Sequence, residues 1–293
     1  MATANRRWPN LFLVGAAKAG TTSLYDSLAR HPAIYMSPMK EPHYFSRIEP
    51  APERRAFFPR VTDEDAYLGL FDGVAGEGLV GEGSTSYLWE PHTAERIKGS
   101  IPEARILVML RDPVERAYSQ YWNDVREGLE SRGFLEALVD ERRSGPGAWG
   151  VTSLYIECGL YVDQLERYLE RFGAQVHVAF FEDYARDEGA TTAEILSFLG
   201  LEPEAADAGS RRANPASMPR NRVSRALLGS GRVRTIARAT VPRGLRSRLR
   251  GALLKRSTRP PMDPEARALL TEAFGPEADR LGALLGRRPP WAP

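Results

Sequence analysis

The sequence has little cysteine and little histidine, and it has no long hydrophobic run. Cys158 is the one cysteine among 293 residues, which excludes an intrachain disulfide and a cysteine cluster for zinc or an iron–sulfur centre. The four histidines are scattered without metal-ligand spacing, and we predict no metal requirement. The apolar run that starts at Leu11 reaches only Gly15, whereas a membrane helix needs about 20 apolar residues and a signal peptide also needs a longer run. These absences together lead us to expect a cytoplasmic protein.

An excess of charge of one sign is also missing. Lys and Arg number 40 against 38 Asp and Glu, so the net charge of +2 does not demand a polyanionic partner. A hydrophobic content of 42% can supply a large core, and we expect a single domain over residues 1–293. Residues 211–262 hold many arginines and no acidic residue. We predict a basic helical lid or arm at about 211–262 and a C-terminal helix at about 263–286.

Apolar runs alternate with segments of helical spacing. The predicted strands are Leu11–Val14, Leu79–Glu82, Arg105–Leu110 and Val176–Phe181. The predicted helices are Thr22–Arg30, Pro113–Arg126, Tyr161–Phe172 and Thr191–Leu199. This alternation predicts an α/β fold with a central parallel sheet flanked by helices, whose ligands bind at the carboxyl ends of the strands. The loops after Val14 and Leu110 are therefore the first places to look for a site.

The loop after the first strand has the composition of an anion site. Small residues let backbone N–H groups approach a phosphate, the start of the next helix favours negative charge, and Lys18 adds a mobile cation. Hydroxyl donors follow at Thr21, Thr22 and Ser23. This is not a Walker A loop, because Lys18 precedes Gly20 instead of following a glycine directly.

A second anion site is indicated after the strand Arg105–Leu110. Arg111 stands at the carboxyl end of that strand, and Ser119 lies two turns into the following helix. A guanidinium group can hold a phosphate through two parallel hydrogen bonds, and a serine hydroxyl can complete the contact. Asp112 and Pro113 also read as an ordinary helix start, with Asp112 as N-cap and Pro113 as first helical residue.

Both segments resemble those of one enzyme family. K-x-G-T-T-S at 18–23 looks like the 5′-phosphosulfate loop of the PAPS-dependent sulfotransferases, and Arg111 with Ser119 resembles their 3′-phosphate motif. K-E-P-H-Y-F at 40–45 is similar to a segment of the heparan sulfate N- and 3-O-sulfotransferase group, including its bacterial-type domains. The resemblance implies a P-loop-like three-layer fold, the donor PAPS (3′-phosphoadenosine-5′-phosphosulfate), the product PAP (3′-phosphoadenosine-5′-phosphate) and no metal.

The resemblance also implies roles for individual residues. Glu41 would be the catalytic base, Lys18 and Lys40 would stabilise the leaving oxygen, and His43 would share the base role, orient the acceptor or serve only in packing. The segment Gly83–Leu88 would lie near the acceptor, or it is an ordinary strand end. The implied nucleotide-binding residues are Lys18, Ala19, Gly20, Thr21, Thr22, Ser23, Arg111, Ser119 and Arg220.

Alternatives remain open at the level of the sequence. The acceptor hydroxyl or amine could belong to a sugar, a glycolipid, a peptide or a small natural product. A P-loop kinase-like phosphotransferase is the second enzyme reading, and a noncatalytic polyanion binder that uses the arginines of 211–259 is a third. We expect no nucleic-acid partner, because that region has no interleaved aromatics. Contact of the region with a membrane surface and the oligomeric state are left open.

Overall fold

A five-stranded parallel sheet forms the centre of the protein. The computed structural model describes residues 7–49, 58, 60–144, 153–202, 217–219, 224, 228, 230, 233, 236, 253–256 and 259–292. The strands of the sheet are β1 (Leu11–Gly15), β2 (Ile34–Met36), β3 (Leu79–Gly83), β4 (Arg105–Leu110) and β5 (Val176–Phe180). Their order is β2-β3-β1-β4-β5, and every neighbouring pair is parallel. The predicted parallel sheet is confirmed, and β2 is a strand that the sequence pattern did not indicate.

Helices flank the sheet, as the alternating pattern predicts. In chain order they are α1 (Thr21–Leu28), α2 (Glu64–Leu68), α3 (Ser86–Trp89), α4 (Thr93–Ser100), α5 (Pro113–Glu127), α6 (Phe134–Ser144), α7 (Tyr161–Phe172), α8 (Phe181–Arg186), α9 (Glu188–Phe198) and α10 (Pro264–Leu285). Short 3₁₀ turns occupy Gly69–Phe71, Glu157–Gly159 and Gly173–Gln175. All residues of β1 and nearly all of β4 are buried, which is the pattern of strands covered on both faces.

The strand order fixes where a ligand can bind. From β1 the chain runs to β2 and β3 on one side, and it then returns past β1 to form β4 and β5 on the other side. Such a reversal opens a crevice at the carboxyl ends of the two strands where the order changes direction, here β1 and β4. The loops after these two strands are the loops that carry Lys18 and Arg111.

Local sequence explains the start of α5, the helix that follows β4. The Asp112 side chain accepts a hydrogen bond from the backbone N–H of Val114 at 2.9 Å, and Pro113 is the first helical residue. Proline fits this position because its missing N–H would have no partner in the first turn. Gly128, at φ 75°, ends the helix in the left-handed conformation that glycine adopts without steric cost. The predicted cap and first residue are confirmed.

Two predicted boundaries were wrong near β5. The strand ends at Phe180, and Phe181 begins α8, because the acidic residues after Phe181 suit the first turn of a helix. Helix α9 begins at Glu188, three residues before the predicted start, because Asp187 caps it by accepting from Ala190 N at 2.8 Å.

The C-terminal part of the chain packs against the helices of the main layer. Helix α10 contacts α5 and α7, and it agrees with the C-terminal helix predicted at about 263–286. Of the basic region at 211–262, the described backbone includes β6 (Ser217–Pro219) and β7 (Leu254–Arg256), which pair antiparallel. The predicted helical lid otherwise falls mostly outside the described residues. None of the described helices is long and apolar enough to cross a membrane.

Candidate active site

A pocket of about 310 Å³ lies where the loops after β1 and β4 meet. It is lined by Ala17, Lys18, Gly20, Thr21, Thr22, Ser23, Lys40, Glu41, Thr85, Arg111, Ser119, Phe181 and Arg259. Both predicted anion sites and the predicted base therefore share one cavity. Its lining residues include four cationic side chains and a single carboxylate, so the pocket is suited to a polyanionic ligand.

The turn after β1 requires glycine at position 20. Gly20 caps α1 in the left-handed conformation, with φ 85°, which costs a residue with a side chain about 1–2 kcal/mol. A Cβ atom built on Gly20 would stand 2.6 Å from the Phe181 ring. Phe181, which the sequence analysis placed at the end of a strand, thus closes over the loop and lines the pocket.

Lys18 reaches into the pocket from the same turn. It adopts φ 69°, and its ammonium group donates to Asn123 Oδ1 of helix α5 at 3.3 Å. Burial lowers the pKa of Lys18 to about 8, and the nearby positive charges of Arg126 and Arg259 act in the same direction. A lysine in this position interacts strongly with an anion because few water molecules compete for it.

Arg111 joins the two anion sites. Its Nη1 donates to the carbonyl oxygen of Lys18 at 3.1 Å, and its guanidinium carbon lies 4.7 Å from the centre of the Phe181 ring. Burial lowers the pKa of Arg111 from its ordinary value. The contact with the ring and the hydrogen bond hold the guanidinium group at the carboxyl end of β4, where it lines the pocket.

Ser119 meets an arginine that sequence reasoning did not single out. The Arg259 guanidinium donates to Ser119 Oγ at 3.4 Å, across 140 positions of the chain. The neighbouring Tyr118 hydroxyl donates to the Pro260 carbonyl at 2.8 Å and holds the segment beside α5. Arg259 is the last of many arginines in the region 211–262, and no sequence pattern distinguishes it from the others. Only its tertiary contact with Ser119 identifies it.

Glu41 forms the other wall of the pocket. Its carboxylate accepts from the Thr85 backbone N–H at 2.8 Å and from the Thr85 hydroxyl at 3.1 Å, and it pairs with Lys40 at 2.8 Å. Burial opposes ionisation, yet the positive charge of Lys40 and these hydrogen bonds hold the pKa of Glu41 below its ordinary value. Glu41 is therefore ionised at neutral pH and 29% exposed, which is the state that a proton acceptor needs.

His43 lies behind Glu41, outside the pocket wall. Its ring stacks on Phe58 with centroids 3.9 Å apart, its Nδ1 meets Ser86 Oγ at 2.8 Å, and its Nε2 is 3.5 Å from Glu41. Burial lowers the pKa of His43 to about 4, so the ring is neutral at pH 7. This geometry favours a role in orienting Glu41 over direct contact with an acceptor.

Other predicted site residues are placed as follows. Ala19 is fully buried under the loop and does not line the pocket. Arg220 lies outside the described residues. Within the described part of the chain, no three His, Cys, Asp or Glu side chains are grouped so that they could hold a metal ion. Thr85, from the segment Gly83–Leu88, does line the pocket, and that segment forms the end of β3 and the start of α3.

Comparison with known proteins identifies the family. The sulfotransferase domain model matches residues 82–278. A solved sulfotransferase from Alicyclobacillus acidocaldarius is 35% identical, with a TM-score of 0.73 over 96% of this chain and 97% of the other. This chain belongs to the sulfotransferase family, and the family expected from the sequence is confirmed.

More distant relatives agree. Carbohydrate sulfotransferase 15 of Rattus norvegicus and heparan sulfate glucosamine 3-O-sulfotransferase 6 of Mus musculus are each 29% identical over 67% of this chain. The matches cover 44% and 53% of those proteins, so the chain spans about half the length of these curated relatives. The mouse sulfotransferase SULT7A1, solved with PAP, shares the fold with a TM-score of 0.50 and 14% identity over 97% of this chain and 89% of its own. The predicted P-loop-like α/β fold is thereby confirmed.

Proposed function

We propose that this protein transfers a sulfuryl group from PAPS to a hydroxyl or amine of an acceptor, releasing PAP. The observation that carries the proposal is that both anion-binding loops and the hydrogen-bonded carboxylate of Glu41 line one pocket. Membership of the sulfotransferase family supports the same reaction. The donor carries phosphate at two separated positions, and the pocket offers cations at two separated positions.

The two loops divide the donor between them. The 5′-phosphosulfate would bind at the start of α1, where Thr21, Thr22 and Ser23 supply hydroxyl donors beside Lys18. The 3′-phosphate would bind between Arg111, Ser119 and Arg259. Both phosphate groups of the donor would then accept hydrogen bonds from cationic side chains. Hydrogen bonds that involve an ionised group are about twice as strong as neutral ones.

The carboxylate of Glu41 would remove the acceptor proton. As the acceptor oxygen or nitrogen forms its bond to sulfur, the bond between sulfur and the bridging phosphate oxygen breaks, and that oxygen leaves with the electron pair. Negative charge grows on the leaving oxygen, so Lys18 and Lys40 at the pocket wall would stabilise it. As in phosphoryl transfer, positioning and charge stabilisation supply most of the acceleration.

We propose a carbohydrate as the acceptor class, since two of the relatives are named for sulfation of carbohydrate or of glucosamine in heparan sulfate. A glycolipid or a natural product remains an alternative. The cytoplasmic location stays a prediction from the single cysteine.

Calorimetric titration with PAP tests the donor site. We expect metal-independent binding that is unchanged by EDTA, is at least tenfold weaker in Arg111→Ala and in Arg259→Ala, and is unaffected in Arg280→Ala. Arg280 pairs with Asp163 and Glu277 away from the pocket, so its loss controls for the removal of one positive charge. Absence of PAP binding beside magnesium-dependent ATP binding would replace this proposal with a phosphotransferase.

A further inference from the structure

A fully buried carboxylate, that of Glu82, lies next to the segment 41–45, which carries Glu41. Glu82, at the end of β3, is 0% exposed. Its carboxylate accepts three hydroxyl groups: Tyr67 at 3.1 Å and Tyr87 at 2.7 Å on Oε1, and Ser84 at 2.8 Å on Oε2. Burying a carboxylate is costly unless hydrogen bonds replace its water, and these hydroxyls replace it. Glu82 does not line the pocket.

Two of the three hydroxyls also hold the backbone beside Glu41. Ser84 Oγ accepts the N–H of His43 at 3.0 Å, and the Tyr87 hydroxyl accepts the N–H of Phe45 at 3.1 Å. A hydroxyl has one proton to donate. Ser84 and Tyr87 each donate their hydroxyl proton to Glu82, so each hydroxyl oxygen can only accept from the amide that it contacts. Glu82 thereby fixes both hydroxyls as acceptors of the His43 and Phe45 N–H groups.

The segment needs such support because its backbone is strained. Glu41 adopts φ 62° and His43 adopts φ 54°, both in the left-handed region that residues with a side chain rarely occupy. Strained conformations of this kind persist only where the surroundings over-determine them. The N–H of Glu41 itself donates to the Gly83 carbonyl at 2.9 Å, so alternate amides of the segment are all held by the end of β3 and the start of α3.

We propose that Glu82 is a positioning residue, which acts through the hydroxyls of Ser84 and Tyr87 to hold the Glu41 carboxylate against Thr85 and Lys40. This inference rests on the proposed role of Glu41 as base. Tyr67 provides the matched control. Its hydroxyl donates to Glu82 Oε1, as the Tyr87 hydroxyl does, but it accepts no hydrogen bond from the N–H of His43 or Phe45. Loss of its hydroxyl removes one hydrogen bond from Glu82 and leaves both contacts to the segment intact.

The test compares Glu82→Gln, Ser84→Ala, Tyr87→Phe and Tyr67→Phe at pH 8. In Glu82→Gln the side-chain amide has protons of its own to donate, so it no longer fixes both hydroxyls as donors, and we expect faster amide exchange at both His43 and Phe45. We expect amide hydrogen exchange of His43 and Phe45 to accelerate at least tenfold, each in the variant that loses its acceptor, and to be unchanged in Tyr67→Phe. The ¹³C chemical shift of the Glu41 carboxylate at pH 8, where Glu82 is ionised, reports whether the contacts of Glu41 survive. We expect this shift to move toward the value of a free carboxylate in Ser84→Ala and Tyr87→Phe and to be unchanged in Tyr67→Phe.

Outcomes separate this inference from the proposed function. Equal effects in the three hydroxyl variants, unchanged exchange of His43 and Phe45 in Glu82→Gln, or an unchanged Glu41 carboxylate shift in Ser84→Ala and Tyr87→Phe would each overturn the positioning role. Neither measurement depends on turnover or on an acceptor, so both remain decisive even if the protein does not bind PAP. PAP affinity, measured in parallel, should stay within about twofold in every variant, because the described hydrogen bonds of these hydroxyls go to Glu82, His43 and Phe45 and not to the two anion loops.

Discussion

At the scale of single residues, the contacts of Glu41 determine its charge. An exposed Lys–Glu pair contributes little to stability and would be unremarkable by itself. Here the carboxylate also accepts two hydrogen bonds from Thr85, and the neutral ring of His43 stands behind it. The same residue type at Glu82, fully buried and hydrogen-bonded to three hydroxyls, has its pKa raised by burial to about 7. The two carboxylates therefore differ because of their surroundings. Glu41 is partly exposed and can accept a proton, whereas Glu82 is fully buried and holds neighbouring hydroxyls.

Replacing Glu41 by Gln tests the base. Gln keeps the shape of the side chain but cannot take a proton, and general base catalysis contributes about 10²–10⁴-fold, so we expect kcat to fall by about that factor. Sulfuryl transfer from ³⁵S-PAPS to a glucosamine oligosaccharide measures it. Glu49→Gln is the control, because Glu49 also forms an ion pair, with Arg60 at 2.7 Å, but on an exposed surface. A Glu41→Gln variant with unimpaired kcat would remove Glu41 from the mechanism.

At the scale of elements, the site depends on how three connections meet. The turn between β1 and α1 meets the first residue of α8 at the Gly20 position, where the Phe181 ring leaves no room for a side chain. Arg111, which precedes the cap of α5, contacts the same ring. The ring can pack this close because Gly20 has no side chain, so even a methyl group at this position would shift the turn or the ring.

Gly20→Ala tests the turn. We expect a loss of at least 1–2 kcal/mol in the free energy of unfolding from the positive φ alone, with PAP affinity reduced as the turn shifts. Chemical denaturation and calorimetry measure the two effects. Gly99→Ala is the matched control, because Gly99 lies inside α4 with open space around it, and alanine there should stabilise by about 0.4–1 kcal/mol. Equal behaviour of the two variants would contradict the assigned geometry.

At the scale of the whole molecule, a second core supports the helix that carries Ser119. Helices α5, α6 and α10 enclose an aromatic cluster that includes Tyr121, Phe134 and Tyr155. Beside this cluster Asp124 is 1% exposed, and it accepts from the Tyr155 hydroxyl at 3.3 Å and from the Ser153 N–H at 3.2 Å. Burial raises the pKa of Asp124 to about 6, so its ionised form destabilises the fold.

Asp124→Asn should reveal this cost as a function of pH. A carboxyl group whose pKa is raised by folding binds more protons when folded, so its contribution to stability falls as pH rises from about 4 to about 6. Relative to the parent, the Asn variant should therefore gain stability across this window, by an amount on the order of 2–3 kcal/mol, and level off above it. Urea unfolding at pH 4 to 8 measures the difference, with Asp26→Asn on the exposed surface as the control. A pH-independent difference would contradict the raised pKa.

The amino-acid sequence by itself determined the parts that depend on short spans. Strand and helix periodicity, the Asp112 cap, the glycine turn at Gly20 and the composition of each anion loop all depend on residues that are close together in the chain, where local propensity and turn chemistry decide the conformation. For the same reason the resemblance could identify Lys18, Glu41 and Arg111, and the structure brings all three to one pocket.

Only the tertiary structure decided the contacts between distant segments. Arg259 meets Ser119 across 140 positions, and Phe181, which follows β5, covers Gly20 in the turn after β1. The hydroxyls of Ser84 and Tyr87 likewise accept the amides of His43 and Phe45, which lie 41 and 42 positions earlier in the chain. Such contacts depend on which helices pack together and in what register, and no local pattern specifies them, because many alternative partners satisfy the same hydrogen-bonding groups equally well until the core is assembled.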